Sequence, residues 1–254
     1  MLREVDLPGA GSRRQHVEMM RADSGQRAQT AVAHPPLRLF RMSLYLFASA
    51  LAAFSLWTLL PEFARSSIRQ LPTSSAAAEL VVSARARAYR AARLGGIRGD
   101  LWAESSFTYV SLLWRSEREA AALADEARAV IETALAHAPH DARVWLLAAS
   151  LGARLRWPHV DPASVLKMSY YTGPNEIGLI PPRLLAAAQL GASDSDVQQL
   201  LERDVRLVLK RRPELRPALV AAYKDAKPQV KQLLESAVVE NDPAFLPTLR
   251  GKNP

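Results

Sequence analysis

Cysteine is absent from all 254 residues, which excludes disulfides, thiol nucleophiles and cysteine metal sites together and is compatible with an oxidising compartment. Glycine is scarce, eleven in all, and no run of β-branched and aromatic residues alternates with polar ones. Apolar residues recur instead at spacings of three and four, so the expected class is all-α. Signatures of chemistry are missing as well: no G-x-S-x-G nucleophile turn, no phosphate-binding loop and no zinc motif. Gly9 and Gly11 have no strand before them and no helix after them, so they do not aim backbone amides at a phosphate. His137 and His140 stand on either side of the helix-ending Pro139 and are no preset pair of ligands. The acidic pairs Glu117/Glu119, Asp194/Asp196 and Glu202/Asp204 are two apart and point to different faces of a helix. No cofactor, no metal and no catalytic residue is expected.

What is present in quantity is apolar surface and positive charge. Ser43 to Leu60 is an uncharged run of eighteen residues, long enough to cross the hydrocarbon core of a bilayer. Arg38 and Arg41 bound it on one side and Pro61 and Glu62 on the other, with Tyr45 and Trp57 near its ends, where amphipathic rings favour the headgroup zone. The expectation is one transmembrane anchor over residues 37–61, preceded by a disordered tail (1–36) and followed by a juxtamembrane linker (62–73) and a helical domain (74–254). Up to Arg41 the chain holds seven arginines against Glu4, Asp6, Glu18 and Asp23, a balance that favours a cytoplasmic N-terminus; the expected location is a bacterial inner membrane with the domain in the periplasm. Cleavage as a signal peptide is the competing reading. The long polar lead and the lack of a small-x-small site after Leu60 count against it. The overall formal charge of +8 is spread in alternating sign along helices, as on solvated faces, and no nucleic-acid partner is expected.

Beyond the anchor, Ser74 or Ser75 is placed to cap a helix running to Leu94, Gly95 to Gly99 break it, and Asp100 is placed to cap the next. The aromatic residues from Trp102 to Trp114 are expected in the core. Glu117 to His137 reads as one helix with an apolar stripe. Further on, Pro162, Pro181 and Pro228 each mark a helix start, Asp194 or Ser193 another, and Lys210 to Arg212 complement the dipole at a helix end.

At ARAVIETALAHAPHDARVWLLAASL, Ala127, Ile131, Ala134, Pro139 and Trp145 resemble a tetratricopeptide repeat boundary. Small Ala127 and Ala134 let helices approach, Pro139 ends one, Asp141 caps the next, and Trp145 is expected to fill the seam between units. A fainter copy has Leu201, Val205, Val208, Pro213 and Leu219 at the same spacing. Where the family's first helix carries a glycine and a tyrosine after the aromatic residue, this chain has neither. The combination of anchor, YYTGPNE turn and this junction is also similar to helical-repeat proteins of bacterial polysaccharide and envelope biosynthesis. That resemblance implies a TPR-like helical hairpin array acting as a membrane-anchored scaffold for a protein partner in the cell envelope, not an enzyme. The alternative is an envelope enzyme that acts on glycans through dispersed residues.

Between the two junctions the chain from Trp157 to Pro182 reads as an irregular insert. Tyr170, Tyr171, Asn175, Glu176 and Arg183 are the candidate partner-binding residues, as a polar recognition surface around the Gly173-Pro174 turn. The opposing reading has the tyrosines packed under a loop and Asn175 satisfying backbone.

Overall fold

In a computed structural model of the chain, residues 37–191 and 194–252 are described. The tail read as disordered and the alternative cap Ser193 lie outside the described residues. Among those residues every regular element is a helix, so the fold is all-α. Helix α1 (Leu37–Ala64) is a single element whose apolar window has a mean hydropathy of 1.7 and no buried share. It is long and apolar enough to cross a membrane. The chain divides into two compact units after Ser55, and the described part of the first is the leading portion of α1.

The second unit starts at Leu56, well before the expected domain boundary at residue 74. Residues 62–73 are part of it because their side chains are tied down. Arg65 Nη2 lies 2.5 Å from Glu104 and 3.1 Å from Asp100, Arg98 Nη1 lies 2.6 Å from Glu62, and Ile68 is buried. The helix expected from residue 75 to 94 is two, α2 (Ser75–Val82) and α3 (Arg85–Gly95). Ser74 caps α2 by accepting from the Ala77 amide, and Ser83, where the chain breaks, donates its hydroxyl to the Leu80 carbonyl, a local bond that competes with helix continuation.

Helix α4 (Gly99–Phe107) starts differently from the expectation. Arg98 holds the cap position, and Asp100, already inside the first turn, pairs with Arg98 and Arg65. Gly99 permits a close helix approach, since a Cβ there would sit 2.5 Å from the His137 carbonyl oxygen. A 3-10 turn at Val110–Leu113 follows. The expected helix from Glu117 to His137 is divided at Leu123 into α5 (Glu117–Ala122), begun by a Ser116/Glu119 capping box, and α6 (Ala124–His137).

Then come α7 (Ala142–Leu155), capped by Asp141, α8 (Pro162–Thr172), capped by Asp161, and α9 (Ile180–Leu190). The remainder is α10 (Ser195–Arg211), capped by Asp194, α11 (Arg216–Asp225), α12 (Pro228–Asn241) and the short α13 (Leu246–Leu249). In the C-terminal half α9 packs on α11 and α10 on α12, each helix against the one two places along.

Two apolar cores organise this unit, and α7 belongs to both. Val144, Leu147, Ala148 and Leu151 face the core built from α2 to α6, whereas Ala142, Leu146 and Ala149 face the one built from α8 to α13. Both predicted junction stripes are buried: Ala127, Ile131 and Ala134 in the first core, Leu201, Val205, Val208 and Leu219 in the second. Two aromatic expectations fail. Trp114 is 42 % exposed. Trp145 is only partly buried and donates its indole N–H to the Pro139 carbonyl at 2.7 Å, so it fastens the α6–α7 corner while its neighbours Val144 and Leu147 fill the seam.

This arrangement sets an order of stabilities. Ile131→Ala should cost about 3 kcal/mol by removing a fully packed side chain, and Trp145→Ala about 1 kcal/mol, the scale of one hydrogen bond. Urea unfolding of the detergent-solubilised chain followed by far-UV circular dichroism checks this, and the reverse order would put Trp145 back in the seam.

Candidate functional site

Two concavities formed by described residues of the second unit bear on function. The larger, about 490 Å³, opens beside α7 between the two cores. Leu146, Leu147, Ser150 and Ala153 of α7 form its floor, Val110, Leu113 and Trp114 one wall, and Pro181, Leu185, Ala218 and Ala221 of α9 and α11 the other. Arg154 holds the first wall in place by donating to the Leu112 carbonyl at 2.9 Å and the Arg115 carbonyl at 2.5 Å. The lining is predominantly aliphatic with one large ring at the rim, a surface that suits an apolar segment and offers no reactive group.

The smaller concavity, about 380 Å³, contains the turn singled out from the sequence. Asn175 and Glu176 line it together with Arg203, Asp204 and Arg211 from α10 and Arg212 just past its end. Tyr171 is exposed. Tyr170 and Arg183 are each 1 % exposed and have no surface to offer a partner; they hold the turn from beneath. Arg183 donates to the Ser169 hydroxyl at 3.1 Å, to the Ser169 carbonyl, and to the Gly173 carbonyl at 3.0 Å, and its guanidinium lies 4.6 Å from the centre of the Tyr170 ring. Gly173 is required because a Cβ there would come within 2.6 Å of Ala142 Cβ. The five candidate residues therefore split into three that face solvent and two that position them.

Asp204 is also a member of this cluster, which residue spacing alone does not mark. It is 4 % exposed, with Arg203 Nη2 at 3.9 Å from one oxygen, while its other oxygen and the Tyr170 hydroxyl are buried, the carboxyl and the phenol near enough to act on each other without a well-formed hydrogen bond. Burial pushes the Asp204 carboxyl up to about 6 against the pull of the Arg183 and Arg203 charges. Burial, and then the Asp204 charge, push the Tyr170 phenol well above its ordinary value. Burial lowers Arg183. Desolvation dominates all three, which is the behaviour of a polar cluster enclosed by apolar packing.

No family model, curated protein or solved structure matches this chain. Among the described residues no group of three or more His, Asp or Glu side chains is placed to hold a metal ion. His137 stacks on Trp102 with ring centres 6.1 Å apart, a packing role. Asp194 and Asp196 converge on Lys167, at 2.8 and 3.5 Å, and tie α8 to the start of α10.

Asp204 carries a pH dependence of known sign. Its folded-state value lies above the ordinary 3.8, so the folded chain binds the proton more tightly than the unfolded chain. The stability this contributes is present at low pH and is lost as pH rises through about 6. Asp204→Asn should therefore raise the unfolding free energy at pH 7.5 by up to about 3 kcal/mol and flatten the difference from wild type below pH 4. Equilibrium unfolding at several pH values measures both, and an Asn variant less stable at pH 7.5 than wild type contradicts the assignment.

Proposed function

We propose that the chain is a membrane-anchored helical scaffold that binds a protein partner in the bacterial cell envelope, in polysaccharide biosynthesis or export. On this reading the tail is cytoplasmic and the helical domain periplasmic. The observation that carries it is the aliphatic groove beside α7, in a domain that continues directly from a helix apolar enough to cross a membrane. A groove of that lining recognises an apolar or amphipathic segment by burial, with specificity supplied at its rim. Trp114 and Arg154 are at that rim, and Tyr171, Asn175 and Glu176 form a separate polar contact.

The tetratricopeptide-like reading belongs to the same proposal. It is supported by the burial of both junction stripes and by the stacking of α9 on α11 and α10 on α12, since repeat arrays bury each unit against its neighbours. One observation favours the envelope-enzyme alternative: a carboxyl pushed to about 6, as Asp204 is, is suited to acid catalysis near neutral pH. The second Asp204 oxygen is sealed from solvent, which supports the scaffold reading over the enzyme one.

Photo-crosslinking from Ala153 or Gln189 in the groove of the full chain tests the scaffold reading in membranes. A discrete protein adduct is expected from these positions. Ala221→Arg, which puts a cation into the groove from its exposed edge, should abolish it without changing helicity. Adducts unaffected by this change, or lost instead in the Tyr171→Ala/Asn175→Ala/Glu176→Ala variant, would move the contact to the turn. A periplasm-dependent reporter fused after Asn241 should be active, and a cytoplasmic reporter there inactive; the opposite pair reverses the topology.

A further inference from the structure

Helix α3 has an unusual division of residue types. Ala88, Ala91, Ala92 and Gly95 are buried, whereas Arg87, Tyr89, Arg90, Arg93 and Leu94 are exposed. At helical spacing those five fall on one outward face. The helix contains no acidic residue, and Arg87, Arg90 and Arg93 make no ion pair among the described residues. An outward face that combines unpaired arginines with a tyrosine and a leucine suits the boundary between headgroups and acyl chains.

The contacts of α3 fix which boundary it meets. Trp57 is three residues from the end of the uncharged stretch and donates its indole N–H to the Leu94 carbonyl at 3.3 Å. Ile97, just beyond α3, is 83 % exposed. Past the end of the stretch, Glu62 and Arg65 pair with Arg98, Asp100 and Glu104. Leu94 thus lies beside the last apolar turn of α1, Arg98 pairs with Glu62 just past it, and the exposed Ile97 falls between these two points in the chain. The same polarity gradient runs through both segments.

From this we infer that α3 and the loop through Ile97 form a second, peripheral membrane contact, with Ile97 and Leu94 in the interface and Arg87, Arg90 and Arg93 on anionic lipid headgroups. The inference rests on α1 spanning the bilayer. Each arginine at an anionic surface adds attraction that falls off within a Debye length, so a face anchored at Trp57 is held where that attraction acts. The contact fixes the orientation of the domain on the bilayer, not only its distance.

Because the chain has no cysteine, single labels report single sites. The full chain is reconstituted in phosphatidylcholine vesicles with and without phosphatidylglycerol. It carries a nitrobenzoxadiazole label at Ile97→Cys, at Ala50→Cys in the apolar stretch, or at the exposed Gln232→Cys. Lipids bearing nitroxides at shallow or deep positions act as quenchers. The expected result is shallow quenching at position 97, deep quenching at 50 and none at 232. Adding Arg87→Glu, Arg90→Glu and Arg93→Glu should remove the extra quenching at 97 that phosphatidylglycerol confers and leave position 50 unchanged. A label at 97 that stays in water while 50 is quenched overturns the docking with the span intact. An unquenched label at 50 overturns the span and the docking with it, and charge reversals without effect at 97 overturn the role of the arginines.

Discussion

From Val144 to Gly152 the chain runs nine residues without a charge, and the helix that contains them is apolar on opposite sides. Most surface helices need only one such stripe, because their other side meets water. Here α7 stands between two cores and is packed by both, so the N-terminal and C-terminal groups of helices share one element. Removing volume from α7 opens both cores. The groove is a consequence of the same arrangement: the two groups of helices diverge on one side of α7, and its floor is what they leave uncovered.

Buried charge specifies where segments sit more than it stabilises them. Arg183 is enclosed with carbonyl oxygens and a tyrosine ring around it, and the turn from Gly173 to Glu176 follows its hydrogen bonds. Arg65 and Glu104 perform the corresponding task at the other end of the unit, where the chain leaves α1. In both places an arginine joins segments that are far apart or irregular, and its fixed fork of donors explains why. Asp204 is the costly member of this set. Its burial opposes ionisation, and the enclosing packing of α8 and α10 bears that cost.

An aliphatic groove, a polar turn held from below and a cationic face beside Trp57 are three chemically different surfaces on one unit. The proposed scaffold and lipid contacts draw on them, and the helix shared by two cores links them. Of the three, the polar turn is the one that brings two carboxyl groups, Glu176 and Asp204, to a single concavity, the residue type on which hydrolysis of a glycosidic bond ordinarily depends.

The sequence by itself determined the helical class, the apolar helix, most helix starts and the buried stripes. Each of these is a local property: Pro162, Asp161, Asp194 and Ser74 act within a turn of their own position, and the spacing of Ala127, Ile131 and Ala134 repeats with the helix. The breaks at Ser83 and Leu123 are not marked by helix propensity, because the residues on both sides favour helix equally. Tyr170 and Tyr171 are adjacent and chemically identical, yet one is enclosed and the other exposed; only the position of α9 and α10 decided which. Arg183, Asp204, Trp114 and the α3 face were assigned by the same kind of event. Burial depends on what arrives from distant parts of the chain, and pairing of charges depends on which of many arginines arrives with it. A single sequence records the candidates for such meetings, while the packing of α7 between two cores selects them.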